Sequence, residues 1–264
     1  MSAVADRAPL GELLRDWRVR RRMSQLDLAL EAGVSARHLS FLETGRSRPS
    51  REMVLRLCEE LEVPLRDRNR LLLAAGFAPA YEERPLEAPE LEPVRRAVAQ
   101  VLTGHEPFPA AMVDRWWNLV AANRNVSIFL EGVAPELLEP PANVLRVSLH
   151  PDGMAPRIVN LAEWRGHLLD RLRREVRATA DARLAELLAE LEGYPRPGGP
   201  APPRPAHGAI AVPLVLRHDG RELSFLSTVA TFGTAVDVTV AELSIEAFFP
   251  ADAETATHLH LPER

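Results

Sequence analysis

The sequence predicts two folds in one chain, an all-α domain over residues 1–80 and an α+β domain with a mixed or antiparallel sheet over residues 106–264. Three observations point there. In the first eighty residues, apolar positions recur at helical spacing in five short runs punctuated by Ser and Gly. Toward the end, β-branched and aromatic runs flank an Asp219-Gly220 pair, a hairpin signal. Between the two lies an acidic connector, residues 81–105, entered through Pro79. It carries Pro85, Pro89 and Pro93 among Glu82, Glu83, Glu87, Glu90 and Glu92, and then a helix over 91–103.

A chain of 264 residues suits two cores. With 46% hydrophobic and 26% charged residues it is globular in composition. The charge is uneven: residues 1–80 hold 14 Arg against 11 acidic residues, and the rest hold 18 against 26. A basic front on an acidic body fits a small nucleic-acid module joined to a larger domain. All 32 basic residues are Arg. That excludes a phosphate-loop lysine, a Schiff-base lysine and a Ser-x-x-Lys nucleophile. The eight His lack metal-ligand spacing, and no Gly-x-Ser-x-Gly, Cys-x-x-Cys or glycine-rich phosphate loop occurs. The reading is therefore no enzyme, no cofactor and no metal. Cys58 stands alone, so no internal disulfide is expected. Nothing at the start reads as a signal peptide, and no apolar run could span a bilayer. The expected location is the cytoplasm, with no membrane partner.

The first helix, over 10–22, sets Leu10, Leu13, Leu14 and Trp17 on one side, with Arg15, Arg18, Arg20, Arg21 and Arg22 as a basic outer face. Ser24 caps the second helix, with Asp27 in capping-box position. Gly33 can take the left-handed turn between helices two and three, and Ser35 caps helix three, over 36–43. Leu39 and Leu42 face inward there, while Ala36, Arg37, Ser40, Phe41 and Thr44 share the other face. Small, cationic, hydroxyl and aromatic groups together can read base edges in a major groove. A basic loop, Arg46 to Arg48, follows. Ser50 caps helix four, whose Val54, Leu57, Cys58 and Leu61 form a core stripe, and helix five runs over 65–75.

This segment resembles the XRE, or lambda-repressor-like, helix-turn-helix family. Its carriers are Arg18, Ser24-Gln25, Leu28-Ala29, Ala32-Gly33-Val34-Ser35, Leu39-Ser40, Glu43, Gly45-Arg46, Pro49-Ser50, and Leu61 with Val63. The resemblance implies that Gln25 contacts phosphate beside a helix N-terminus. It implies that Ala36, Arg37 and Phe41 lie where bases are read. With Ser35, His38, Ser40, Arg46 and Arg48 they make up the candidate DNA-binding set.

From Pro107 the pattern changes. Residues 112–122 read as a strand and 123–130 as a short helix; 143–149 is helix or strand. Residues 161–179 and 182–191 read as helices, and 195–205, with six Pro, as a loop. Residues 209–217 and 222–232 read as hairpin strands. Residues 236–249 read as a third strand, with a helix over 240–249 as the alternative, and His258 and His260 fall on a tail or last strand.

This half resembles the ligand-binding domain of MmyB-like regulators, a PAS-like fold. The carriers include Trp117-Asn118, Ala121-Ala122-Asn123, Asn143-Val144-Leu145-Arg146, Ser148-Leu149-His150-Pro151, Trp164-Arg165, Thr231-Phe232-Gly233-Thr234 and Phe248-Phe249-Pro250. The resemblance implies a sensor holding a small molecule between sheet and helices, with apolar, lipid-like or fatty-acid-like ligands in view. The residues themselves supply an apolar candidate set: Trp117, Phe129, Leu149, Met154, Trp164, Leu168, Phe225 and Phe232. Arg146 and His150 are candidate anchors for a carboxylate. The expected whole is a homodimeric transcription regulator on near-palindromic double-stranded DNA. The alternative is a DNA-binding protein whose second domain serves protein interaction or dimerisation without a ligand.

Overall fold

A computed structural model describes residues 9–195 and 211–260. The first five elements are helices: α1 (Leu10–Arg20), α2 (Gln25–Glu31), α3 (Ala36–Glu43), α4 (Arg51–Glu60) and α5 (Leu65–Ala74). The serine caps are where local chemistry put them. Ser24, Ser35 and Ser50 accept from the backbone N–H of Asp27, His38 and Met53, and Asp27 closes the capping box back onto Ser24. Leu28, Leu39, Leu42, Leu57 and Leu61 are buried to 2% exposure or less. Cys58 joins them, and burial pushes its thiol up to about 12, so it is inert core rather than a nucleophile. One expectation fails: Arg18 is not part of a basic outer face but is buried at 9% exposure.

The second half begins with α6 (Glu92–Gly104), entered through a 3-10 turn at Pro89–Leu91. Then follow β1 (Ala110–Val113), β2 (Leu119–Ala122), α7 (Ser127–Leu130), α8 (Val144–Leu149), α9 (Leu161–Thr179), α10 (Ala182–Gly193), β3 (Leu214–His218), β4 (Arg221–Thr231), α11 (Val238–Ala241), β5 (Ser244–Pro250) and α12 (Ala253–His260). The five strands form one sheet in the order β2-β1-β5-β4-β3, with every pairing antiparallel. This is the expected α+β domain. The β3–β4 turn uses Asp219 and Gly220, both with positive φ (48° and 72°), the geometry of a two-residue hairpin turn.

Three sequence expectations differ from the structure. The strand expected over 112–122 is two strands joined by a tight turn. Asp114 folds it by accepting from the backbone of Trp116 and Asn118 and from the Asn118 side chain, at 2.8–2.9 Å. Trp117 sits in that turn at φ 67°. The strand expected over 236–249 begins instead with the single helical turn α11, because Asp237 accepts from Thr239 N at 2.9 Å and acts as its cap. His258 and His260 lie on α12, not on a strand. The expected loop over 195–205 lies, from residue 196 on, outside the described residues, as does the start of the expected strand over 209–217.

The chain divides into two compact units: Met1–Pro85 with Thr234–Ala241, and Leu86–Gly233 with Glu242–Arg264. The first thus includes a segment, Thr234–Ala241, far downstream of Pro85 in sequence. Within it α11 packs on α5. Arg84 pairs with Asp237 at 3.0 Å, Val238 N donates to Glu82 O, and the Thr239 hydroxyl donates to Arg84 O. The connector expected to begin at residue 81 therefore starts inside this unit, where Asn69 also grips the backbone of Ala80 and Tyr81.

Candidate functional site

Helix α3 is held by an ion pair that explains Arg18. Its guanidinium donates to both oxygens of Glu43 (2.6 and 2.9 Å) and to Met23 O (2.8 Å), and Gln25 Nε2 donates to Glu43 at 2.8 Å. One carboxylate thus ties α1, the start of α2 and the end of α3. Burial alone would raise the Glu43 carboxyl, but the hydrogen bonds from Arg18 and Gln25 outweigh it and hold the group below the usual carboxylate range. Gly11 lets α1 lie directly on α3: a Cβ there would sit 2.3 Å from Glu43 O. Arg18 falls four residues after Leu14 and one after Trp17, on the core face of α1, and that spacing is the signal that marks it.

So anchored, α3 buries Leu39 and Leu42 and turns a second face outward. On that face Arg37 is exposed, with its guanidinium 5.4 Å from the centre of the Phe41 ring. Ala36 is half-buried against the core; His38, Ser40 and Phe41 are half-buried; Ser35, Arg46 and Arg48 are exposed. The turn after α3 is tight, with Gly45 at φ 71° and the N–H groups of Arg46 and Ser47 both donating to Phe41 O. The basic loop therefore starts at a fixed point. The sequence-named DNA set lies on α3 and its two flanks. Gln25 differs in that its amide is already engaged by Glu43.

In the α+β unit a cavity of about 80 Å³ lies between the sheet and α7, α8 and α9. Phe129, Met154, Trp164 and Leu168 line it as part of the named set. Trp117, Leu149 and Phe225 are buried in the same core without lining it, and Phe232 packs on a separate cluster around Val98 and Leu102. Two expectations change more sharply. Arg146 spends its guanidinium on Glu190 at 2.7–2.8 Å, and the His150 ring rests edge-on against Tyr194. Neither lines the cavity. Its polar groups are instead Ser148, which accepts from Trp164 Nε1 at 3.0 Å, and Glu246. Glu246 pairs with Arg171, whose guanidinium also lies 4.2 Å from the Trp117 ring centre. Burial dominates at Glu246 and pushes its carboxyl above the usual range despite Arg171. Glu246 and Phe248 alternate on β5, so period-two spacing was the signal for them.

Residues 94–261 match the model of the MmyB-like transcription regulator ligand binding domain, and residues 14–67 match a helix-turn-helix model. An uncharacterized HTH-type transcriptional regulator, RghRB of Bacillus subtilis (strain 168), is 29% identical over 133 residues, 49% of this chain and 94% of the relative. The crystal structure of the clp gene regulator ClgR from Corynebacterium glutamicum is 28% identical over 37% of this chain and 90% of its own, with a TM-score of 0.23. Among the described residues, no helix is long and apolar enough to cross a membrane.

Proposed function

Since the chain belongs to the transcription regulators that carry an MmyB-like ligand-binding domain, we propose that it works as a homodimer, with two copies of α3 in successive major grooves of a near-palindrome. The grooves would be about 34 Å apart. One observation carries the DNA reading: α3 is locked from behind by Arg18, Glu43 and Gln25 while Arg37, Ser40 and Phe41 remain on the face away from Leu39 and Leu42. In this reading Arg37 reads a guanine, Phe41 braces it, and Arg46, Arg48 and the N-terminus of α2 at Gln25 hold phosphate.

The test is selection of a preferred site from random duplexes, followed by titration of wild type and Arg37→Ala on that site and on random DNA. We expect a loss of about 1–3 kcal/mol on the selected site and little on random DNA. Equal losses would reduce Arg37 to a phosphate contact, and failure to enrich any sequence would sink the reading.

The ligand of this reading is small, largely apolar and uncharged. Among the described residues the cavity is lined by no arginine, and its one ionisable lining group is a carboxyl that burial pushes above the usual range. A fatty-acid head would bring a second carboxylate against Glu246, whereas an uncharged head would not. A cavity of about 150 Å³ takes benzene, so at about 80 Å³ ligand entry must push the walls apart. Two cavity walls, Glu246 and Phe248, lie on β5, and β5 directly follows the 234–241 segment that belongs to the DNA-binding unit. Movement of β5 is thus a covalent route from the ligand to the unit that holds α3, with a coupling of about 1–3 kcal/mol.

The same small volume favours a second reading, a protein-docking domain without a ligand. Native mass spectrometry separates the two: a dimer with removable extra mass supports the sensor, a bare dimer the docking domain, and a monomer opposes the palindrome.

A further inference from the structure

The fold brings together three residues that no linear motif connects. His218 ends β3, Asp219 opens the hairpin turn, and His258 lies on α12 forty residues later. One ligand atom from each falls within 4.8 Å of the other two. The two imidazoles meet edge to face, 5.6 Å between ring centres. His218 Nε2 is 3.7 Å from an Asp219 oxygen, while its other nitrogen, Nδ1, is 2.8 Å from Glu131 Oε2. Glu131 is itself fixed by Arg157 at 3.2 Å.

We propose that His218, His258 and Asp219 bind a divalent transition metal of the zinc class, with water in the fourth position. Two imidazoles and one carboxylate are a borderline donor set that suits zinc, not the all-oxygen shell of calcium or magnesium. Bond lengths of about 2.0–2.1 Å place tetrahedral ligand atoms about 3.4 Å apart. The present spacing therefore closes by side-chain rotation of two half-buried imidazoles and one exposed carboxylate. The Glu131 contact is the second observation. A metal-bound histidine characteristically donates its other N–H to a carboxylate, which fixes the tautomer and aims the free nitrogen at the ion. Glu131 leaves Nε2 of His218 free on the side of Asp219, in just that sense. Two neutral imidazoles with one carboxylate leave a divalent ion one positive charge in excess, which Glu131, one hydrogen bond beyond His218 and shared with Arg157, offsets in part. The ion would pin the β3–β4 hairpin to α12.

The experiment uses the full chain without an affinity tag, stripped of metal by chelation and titrated with zinc chloride by calorimetry at neutral pH. We expect one zinc per chain. His258→Ala and Asp219→Asn should each weaken binding about 100-fold or more, Glu131→Gln about 10-fold, and His260→Ala, two residues along the same helix, by less than about threefold. Circular dichroism checks that each variant is folded. No zinc uptake by the wild type, or uptake that survives both His258→Ala and Asp219→Asn, would overturn the site.

Discussion

Arg18–Glu43 in the helical unit and Arg171–Glu246 in the α+β unit are both arginine–carboxylate pairs drawn into a core, yet their carboxyls are displaced in opposite directions. Glu43 accepts from Arg18 twice and from Gln25 once, enough to keep it ionised although its side chain is only 3% exposed. Among the described residues Glu246 has Arg171 as its one cationic partner, a second carboxylate nearby in Glu175, and an apolar cavity in front of it. Burial wins where donors are few and loses where they are many. The first pair fixes α3, the helix proposed above to face DNA. The second leaves a carboxyl that burial pushes above the usual range, and that carboxyl lines the cavity.

The largest expected effect tests that contrast directly. Arg18→Met leaves Glu43 buried without its main partner and should cost about 3–5 kcal/mol in urea denaturation. Arg171→Met should cost about 1–2 kcal/mol, because Glu246 can take up a proton instead. Equal costs would break the contrast. Next, Gly11→Ala must move α1 off the Glu43 carbonyl and should cost about 2 kcal/mol. No loss would show that α3 is not pinned there. Ala111→Leu fills the cavity lined by Ala111; we expect a gain of about 1 kcal/mol with loss of any co-purified mass. A loss of stability would mean the space is narrower than its volume suggests.

The smallest effect is on pH dependence. Glu43 lies below its reference value of 4.5 in the fold, so its contribution is present above that value and is lost as pH falls further. Glu246 lies above the same reference, so its contribution is present below it and fades as pH rises. Glu246→Gln should therefore flatten the decline on the rising side, and Glu43→Gln should flatten the acid side. Identical profiles for the two variants would refute the assignment.

What the sequence disclosed was mostly local. The serine caps, the Asp219-Gly220 turn and the helical stripes are written in neighbours three or four residues apart. Arg18 was legible in principle, at the spacing of Leu14 and Trp17, but its charge outweighed its position. The Asp114 turn was hidden by the apolar run around it, and α11 by the strand-like alternation of Val236, Val238 and Val240, which Asp237 overrides as a cap. Aromatic weight was a poor guide to the cavity: Trp117 and Phe225 fill core, whereas Ala111, Ser148 and Glu246 line it. The His218–His258 pair depends on where α12 docks, which no local pattern encodes.

The capture of residues 234–241 by the first unit also bears on how the chain can be cut. A proteolytic fragment ending at Pro85 would lose the carboxylate of Asp237, the N–H of Val238 and the Thr239 hydroxyl together, and uncover the side of α5 on which α11 rests. No single scission separates the two bodies cleanly. An exchange of sensor halves between related regulators would have to carry this eight-residue graft as a matched part, transplanted with the DNA-binding half that it completes.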